Sequence, residues 1–399
     1  MKKFARLLAV ILTVVMLSGC SLVAVNPEKI VVATIGEETI TKAQFDAYLN
    51  AYLASYGYTV DSAEIAEQLP DLKASLIDVL VEETVVAQKI AELGFDVISD
   101  EEKAEAEATI QTWYDLQLEM LTASYAADET VEDPAATAKE ALDSYILTNM
   151  GMDLEALKQA EINYIPSDKL YEHVTKDVVV SEAEAKITYS ENVAEAKELY
   201  DGSPATFVSH HDNGYVLFYV PEGIFYVKHI LIGFTDEQKD ELTALRGDDD
   251  EAVAATADAK RDEFLATIQE EADAVLAAVE AGGDFEALIV EYGDDPGMAN
   301  ELYADGYMTY IDNPNFVGEF AAACNELTAD GMTSGLVASD FGYHIIRRVS
   351  TMTPGEVPFE DVKTDVMDGL LATAQEEAYN SAVAAWIDEA NVEINDNKL

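Results

Sequence analysis

The 399-residue chain is short of positive charge, of cysteine and of histidine. It carries 23 Lys and Arg against 78 Asp and Glu, a formal net charge of −55. That deficit makes nucleic acid a poor partner, because phosphate contacts need clustered cations. It leaves a strongly hydrated surface with long-range attraction for cationic or unfolded basic chains. Two cysteines, Cys20 and Cys324, make neither a disulfide framework nor a metal knuckle. Cys324, at helical spacing from Phe320 and Leu327, reads as a small buried apolar residue. Glycine and proline are sparse, at 21 and 10 residues, while 49% of the chain is hydrophobic. Such a chain folds rather than staying disordered, and its length fits two or three domains. Beyond residue 20 no run is long and apolar enough to suggest a membrane span.

What is present begins with an address. "MKKFARLLAVILTVVMLSGC" opens on Lys2, Lys3 and Arg6, continues apolar from Leu7 to Leu17, and ends on small residues. Residues 1–19 read as a secretory signal whose apolar core is too short to span a bilayer comfortably. Leu17-Ser18-Gly19-Cys20 resembles the bacterial lipoprotein box. That resemblance implies cleavage before Cys20, diacylglycerol on its sulfur, and an extracytoplasmic protein lipid-anchored to the cell membrane. Two acyl chains hold a protein stably where one holds it marginally. Residues 20–29 then read as a tether.

From residue 30 to 224 the pattern is one strand, "IVVATIG", followed by amphipathic helices. Thr41–Gln44, Ser99–Glu102 and Ser181–Glu184 each have the spacing of a capping box. Phe45, Tyr48, Leu49, Tyr52 and Leu53 share one helical stripe. A helix from about Leu72 to Leu93 stops at Gly94, and another follows Pro134. Most such stripes form core, but a helical module with more apolar face than it can bury offers a groove for unfolded chains. From Phe225 the period becomes strand-like, and an acidic, loop-like insert centred on Gly247–Glu251 follows. Then come a helix over 256–281, a short helix capped by Asp284, "DDPGM", a turn-rich stretch around Gly306, the helix "NFVGEFAAACNEL", and the strands "GLVAS" and "GYHIIRRV". This order predicts an α+β domain over 225–350 with an antiparallel sheet. Residues 351–399 turn helical again and end in "NVEIN", a strand able to return and pair with "IVVATIG".

Two of the five histidines, His229 in "FYVKHILIGF" and His344 in "FGYHIIRRV", sit inside apolar strands. Either one alone would read as a hydrogen-bonded core residue. Together, flanking "DDPGM" and "FVGEF" in this order, they carry a resemblance. Residues 225–350 are similar to the parvulin family of peptidyl-prolyl isomerases, through "VKHILI", "AGGDFEALIVEYGDDPG", "NFVGEFAAACNEL" and "ASDFGYHIIRRV". The mature chain resembles exported foldases of the PrsA and SurA type, in which a helical chaperone module accompanies a parvulin domain. The resemblance implies that His229 and His344 stand side by side beneath a proline pocket, with Asp295 near the substrate carbonyl. It places Phe320 on the aromatic floor, Phe316 and Ser339 at its edges, and Tyr307 or Met308 on the wall where the family's Gly-Gly-Asp-Leu-Gly run is here "YADGYMTY". The acidic insert, where the family can carry a basic loop, argues against a phosphate-directed specificity.

The implied activity is cis–trans isomerisation of X-Pro bonds in unfolded or partly folded exported polypeptides, without cofactor or metal. Two other readings compete. One is a holdase chaperone whose parvulin domain is structural and weakly active or inactive. The other is a metal- or solute-binding lipoprotein using His229, His344 and Asp295 as a facial ligand set, which no further ligand spacing supports. Oligomeric state stays open, a dimer through the helical module included.

Overall fold

The computed structural model of the chain describes residues 30–127, 130–247 and 251–399. The signal, Cys20, the tether and the acidic centre at 248–250 lie outside them. Two compact units result: the described residues up to Val179 together with Leu371–Leu399, and Val180–Leu370.

The first unit opens with strands β1 (Val31–Ile35) and β2 (Glu38–Thr41) and helices α1 (Lys42–Ser55), α2 (Leu69–Leu93), α3 (Asp100–Ala126), α4 (Pro134–Met150) and α5 (Leu154–Thr175). Local chemistry sets the helix ends. Thr41 and Ser99 complete capping boxes with Gln44 and Glu102, and Gly94 terminates α2 at φ 70°, a left-handed value that suits glycine. The stripe on α1 is core: Phe45, Tyr48, Leu49 and Leu53 are buried against Val32, Ile35, Leu76, Ile77, Leu80 and Val81. A second cluster joins Ile110, Tyr114, Leu142, Ile146 and Leu157.

The second unit contains α6 (Glu182–Gly202), α7 (Pro204–Asp212), β3 (Tyr219–Val220), β4 (Phe225–Gly233), α8 (Asp236–Arg246), α9 (Ala257–Glu280), α10 (Phe285–Tyr292), β5 (Tyr307–Thr309), α11 (Gly318–Glu326), β6 (Val337–Ser339), β7 (Gly342–Thr351) and β8 (Gly355–Glu356). The long helix α12 (Phe359–Glu389) begins in this unit and ends in the first, where β9 (Val392–Ile394) pairs antiparallel with β1. The terminal strands thus meet, as the sequence suggested, in a three-stranded sheet of order β2-β1-β9.

Sequence expectation put the boundaries at 224/225 and 350/351. In the structure α6 and the start of α12 share a core within the second unit, where Ala185 meets Val362 and Val366. Tyr200, Phe207 and Val208 likewise join Tyr219, Ile224 and Met308.

The sheet that matters for function has order β5-β4-β7-β6, all antiparallel. One face is covered by α9 and α10, where Ile230, Ile232 and Ile345 meet Ala272, Val275, Val279, Leu288 and Ile289. The other face meets α11, where Phe225, Val227 and Ile346 pack against Phe320, Cys324 and Leu327. Two local expectations change here. The turn-rich stretch around Gly306 contains a strand, β5, because the main chain leaving Gly306 pairs with Phe225–Val227. Part of the supposed acidic loop is helix α8. Thr235 and Gln238 form its capping box, and its one buried residue, Leu242, packs with Phe234, Phe264 and Leu265.

Candidate active site

Strand parity brings the histidines together. On β4 and β7, His229 stands opposite Ile346 and Leu231 opposite His344, so the two histidines are diagonal neighbours on one face. Val337 stands opposite His344, which puts Ser339 two residues further along the same face. Tyr307 stands opposite Val227, also on the His229 side. This is the face that α11 covers, and α11 lowers Phe320 onto both imidazoles, edge-on at 5.1 and 5.3 Å between ring centroids. Phe316 extends the aromatic surface 5.0 Å from Phe320, with Tyr307 6.2 Å beyond.

The polar groups form one connected chain. His229 Nε2 lies 2.6 Å from Asp295 Oδ2, and the two Nδ1 atoms of His229 and His344 are 3.1 Å apart. Ser339 Oγ is 2.7 Å from His344 Nε2 and accepts the Phe341 backbone N–H at 3.1 Å. The Tyr307 hydroxyl donates to Asp295 Oδ2 at 2.8 Å, and the Gly297 N–H donates to Oδ1 at 2.9 Å.

Asp295 is the charged end of this chain. The hydrogen bond from His229 holds its carboxyl down at about 2; burial opposes this, and the Gly297 and Tyr307 donors assist. An ionised carboxylate only accepts, so the His229 Nε2 carries a proton and donates it to Asp295. The His344 Nδ1 shares a hydrogen bond with the His229 Nδ1, and its Nε2 shares one with the Ser339 hydroxyl. Burial first, and His229 second, push His344 down to about 3, so it is neutral at physiological pH. Both histidines and Ser339 are nine-tenths or more buried, and each polar atom has a partner, as burial demands.

The expected site residues therefore converge, with one exception and one outside view. His229, His344, Asp295, Ser339, Phe316, Phe320 and Tyr307 share this face. Met308 does not. It stands opposite Tyr226, and the two-residue period of a strand turns it to the other side, into the cluster of Phe207, Val208 and Ile224. It is corrected from pocket wall to core residue. Cys20 lies outside the described residues, and Cys324 is a buried core thiol pushed up to about 12 by desolvation.

Two contributors escaped sequence reasoning. Gly297 is one: a Cβ there would overlap the Tyr307 hydroxyl. Its signal was the Pro-Gly step after Asp295. Tyr303 is the other, edge-on against Tyr307 at 4.8 Å; nothing local in the sequence marked it.

Comparison with known proteins fits this geometry. Residues 229–350 match the family described as PPIC-type PPIASE domain, and residues 2–117 match the SurA-like N-terminal domain. The foldase protein PrsA of Clostridium tetani is 24% identical over 405 residues, covering 98% of this chain and 95% of that protein. The foldase protein PrsA of Clostridium acetobutylicum is 25% identical over 390 residues, covering 96% and 93%. A solved structure of a SurA-like chaperone from Campylobacter jejuni aligns over 92% of this chain and 99% of its own, with 12% identity and a TM-score of 0.33. A likeness that loose leaves the fold to be argued from this chain itself.

Proposed function

We propose that this chain, a parvulin-type peptidyl-prolyl isomerase of the PrsA/SurA foldase kind, works outside the cytoplasm, held to the cell membrane through acylated Cys20, on X-Pro bonds of exported polypeptides. The observation that carries the reading is an ionised carboxylate, Asp295, fixed by His229 beside the aromatic surface of Phe316 and Phe320.

The reaction breaks no bond. An X-Pro bond turns over unaided in tens to hundreds of seconds, and lowering the barrier by about 4 kcal/mol gives roughly a thousandfold. The twisted amide has lost its resonance and is less polar along C–N than the planar form. Phe316 and Phe320 favour it by offering an apolar surface to the proline ring. Asp295 acts on the carbonyl end: its negative charge disfavours charge on the carbonyl oxygen and so weakens the partial double bond. His229 and His344 hold this arrangement, and neutral His344 is not a proton donor. Phe320 is the floor, and Ser339 holds the His344 Nε2 by a hydrogen bond.

The anchor rests on the lipobox-like Leu17-Ser18-Gly19-Cys20, and no helix among the described residues is long and apolar enough to cross a membrane. Cell fractionation of Cys20→Ala tests it. The variant should leave the membrane fraction or stay unprocessed; a processed variant that remains membrane-bound rules the anchor out. The activity is tested by isomerisation of a proline peptide by the mature chain. An observed rate equal to the uncatalysed one would put the holdase reading in its place.

A further inference from the structure

An ionised carboxylate has about four acceptor positions, and protein donors fill three of those on Asp295. One comes from β4 through His229, one from the turn that follows it through Gly297, and one from β5 through Tyr307. The third differs from the other two. The backbone N–H of Gly297 belongs to a local turn and would form with almost any residue there. The His229 bond is part of the buried chain through His344 and Ser339. Tyr307 reaches Asp295 from a strand whose only role in the sheet is to pair with three residues of β4. As a wall for a proline ring, any aromatic or large apolar side chain at 307 would serve. The hydroxyl is the part that needs a reason, and its partner is the carboxylate that faces the substrate.

The surroundings are shaped for that contact. Tyr303 buttresses the Tyr307 ring edge-on. Position 297 lacks a side chain where a Cβ would overlap the hydroxyl oxygen, and it needs no left-handed backbone that would otherwise explain a glycine. Gly306, at φ 98°, starts β5 where a Cβ would meet the Val227 carbonyl at 2.5 Å. Two glycines thus let β5 and its phenol come close.

We propose that Tyr307 is a positioning residue: its hydroxyl, admitted by the bare Cα of Gly297, fixes the rotation of the Asp295 carboxylate toward the prolyl carbonyl and holds it in its charged form. This rests on the isomerase reading for its link to rate, but the contact itself does not. Three donors from three segments leave the carboxylate no free rotation. With the hydroxyl gone, Oδ2 keeps one protein donor, and water competes for the vacated position. The titratable groups that face Asp295 are His229 and Tyr307, with His344 behind His229; Asp294 turns aside to accept the Gly233 N–H. A donor to the charged form keeps a carboxyl acidic, so losing it moves Asp295 titration toward higher pH.

The test is Tyr307→Phe in the mature chain, which keeps the ring and removes one oxygen. The expected result is kcat lower by about tenfold with KM nearly unchanged, and an acid limb of the pH–rate profile shifted upward. The 13C titration of the Asp295 side-chain carboxyl should shift the same way. Gly297→Ala should depress activity comparably in the wild-type background and far less in a Tyr307→Leu background, since the two positions act through one contact. An unchanged acid limb and carboxyl titration overturn the proposal, even if kcat falls, because the hydroxyl would then be acting other than through Asp295. So does a Gly297→Ala loss that is the same with either residue at 307. Should the wild-type chain prove inactive, the isomerase reading fails, while the carboxyl titration still decides whether Tyr307 governs Asp295.

Discussion

The two units bury different things. Among the described residues, the first unit buries one polar side chain, Thr175, whereas the second buries His229, Thr309, Asn313, Ser339, His344 and Arg348. Both units leave apolar side chains in water: Val97 is 71% exposed and Leu147 60% in the first, Leu302 74% and Val290 88% in the second. The buried polar groups are the difference, and they teach which unit is built to hold one geometry. A buried polar network is costly unless complete, and when complete it fixes one geometry. That suits a site that must hold a carboxylate still. The exposed apolar side chains, present in both units, fix no geometry.

The largest effect that can break this comparison comes from removing one buried ring in each unit. Phe45→Ala in the first and Phe320→Ala in the second should each cost about 3 to 5 kcal/mol. Only the second should also lower isomerisation, because Phe320 lies against both imidazoles. Both tryptophans, Trp113 and Trp386, are in the first unit. Their fluorescence therefore follows that unit during urea unfolding, and hydrogen exchange on β4 and β7 follows the other. Equal loss of activity in the two variants would erase the distinction.

His344→Ala comes next. It leaves the His229 Nδ1 and the Ser339 hydroxyl without their partner, at about 1 to 3 kcal/mol. Hydrogen exchange on β4 and β7 should quicken while the tryptophan transition stays in place.

Acid should act on the two units with opposite signs. His344 has its folded-state value lowered from 6.5 to about 3 by burial. Its contribution is complete above pH 6.5 and is lost as pH falls toward 3. Glu83, in α2, is raised from 4.5 to about 7 by burial and by the neighbouring charge of Glu82. Its contribution is complete below pH 4.5 and is lost as pH rises through 7. Between pH 7 and pH 5 these two groups therefore favour the first unit and weaken the second. Glu83→Gln should flatten the pH dependence of the tryptophan transition, and His344→Gln that of exchange on β4 and β7. A variant that leaves its own unit's pH dependence unchanged refutes the assignment for that group.

The smallest effect on stability is expected at the exposed faces. Leu116→Glu and Leu147→Glu should each change stability by no more than about 0.5 kcal/mol, yet reduce the suppression of aggregation of a denatured client measured by light scattering. Unaltered suppression would make these faces mere surface.

Much of this was legible in the sequence because the signals were local or periodic. Thr41, Ser99 and Ser181 announce their capping boxes within four residues, and each forms. Two histidines inside apolar strands, set around "DDPG", pointed to the paired arrangement that β4 and β7 produce. What escaped was decided by contacts between distant segments. Strand β5 has three residues, too few to display a period, and so the face of Met308 could not be read. The same limit hid the hydroxyl of Tyr307 from Asp295. The turn "DDPG" carries no local sign that Asp295 bears on stability. With three donors converging on it, its removal leaves His229 Nε2 and the Tyr307 hydroxyl without an acceptor, so Asp295→Ala should lose stability as well as rate.

The central claim is that the charge of Asp295, held by His229, drives prolyl isomerisation. Asp295→Asn in the mature chain tests it most directly, because it keeps the size of the side chain and removes the charge. With a proline peptide at neutral pH, kcat/KM should fall by about ten- to a hundredfold, while hydrogen exchange on β4 and β7 remains slow. A variant that isomerises the peptide as fast as the active wild type contradicts the account.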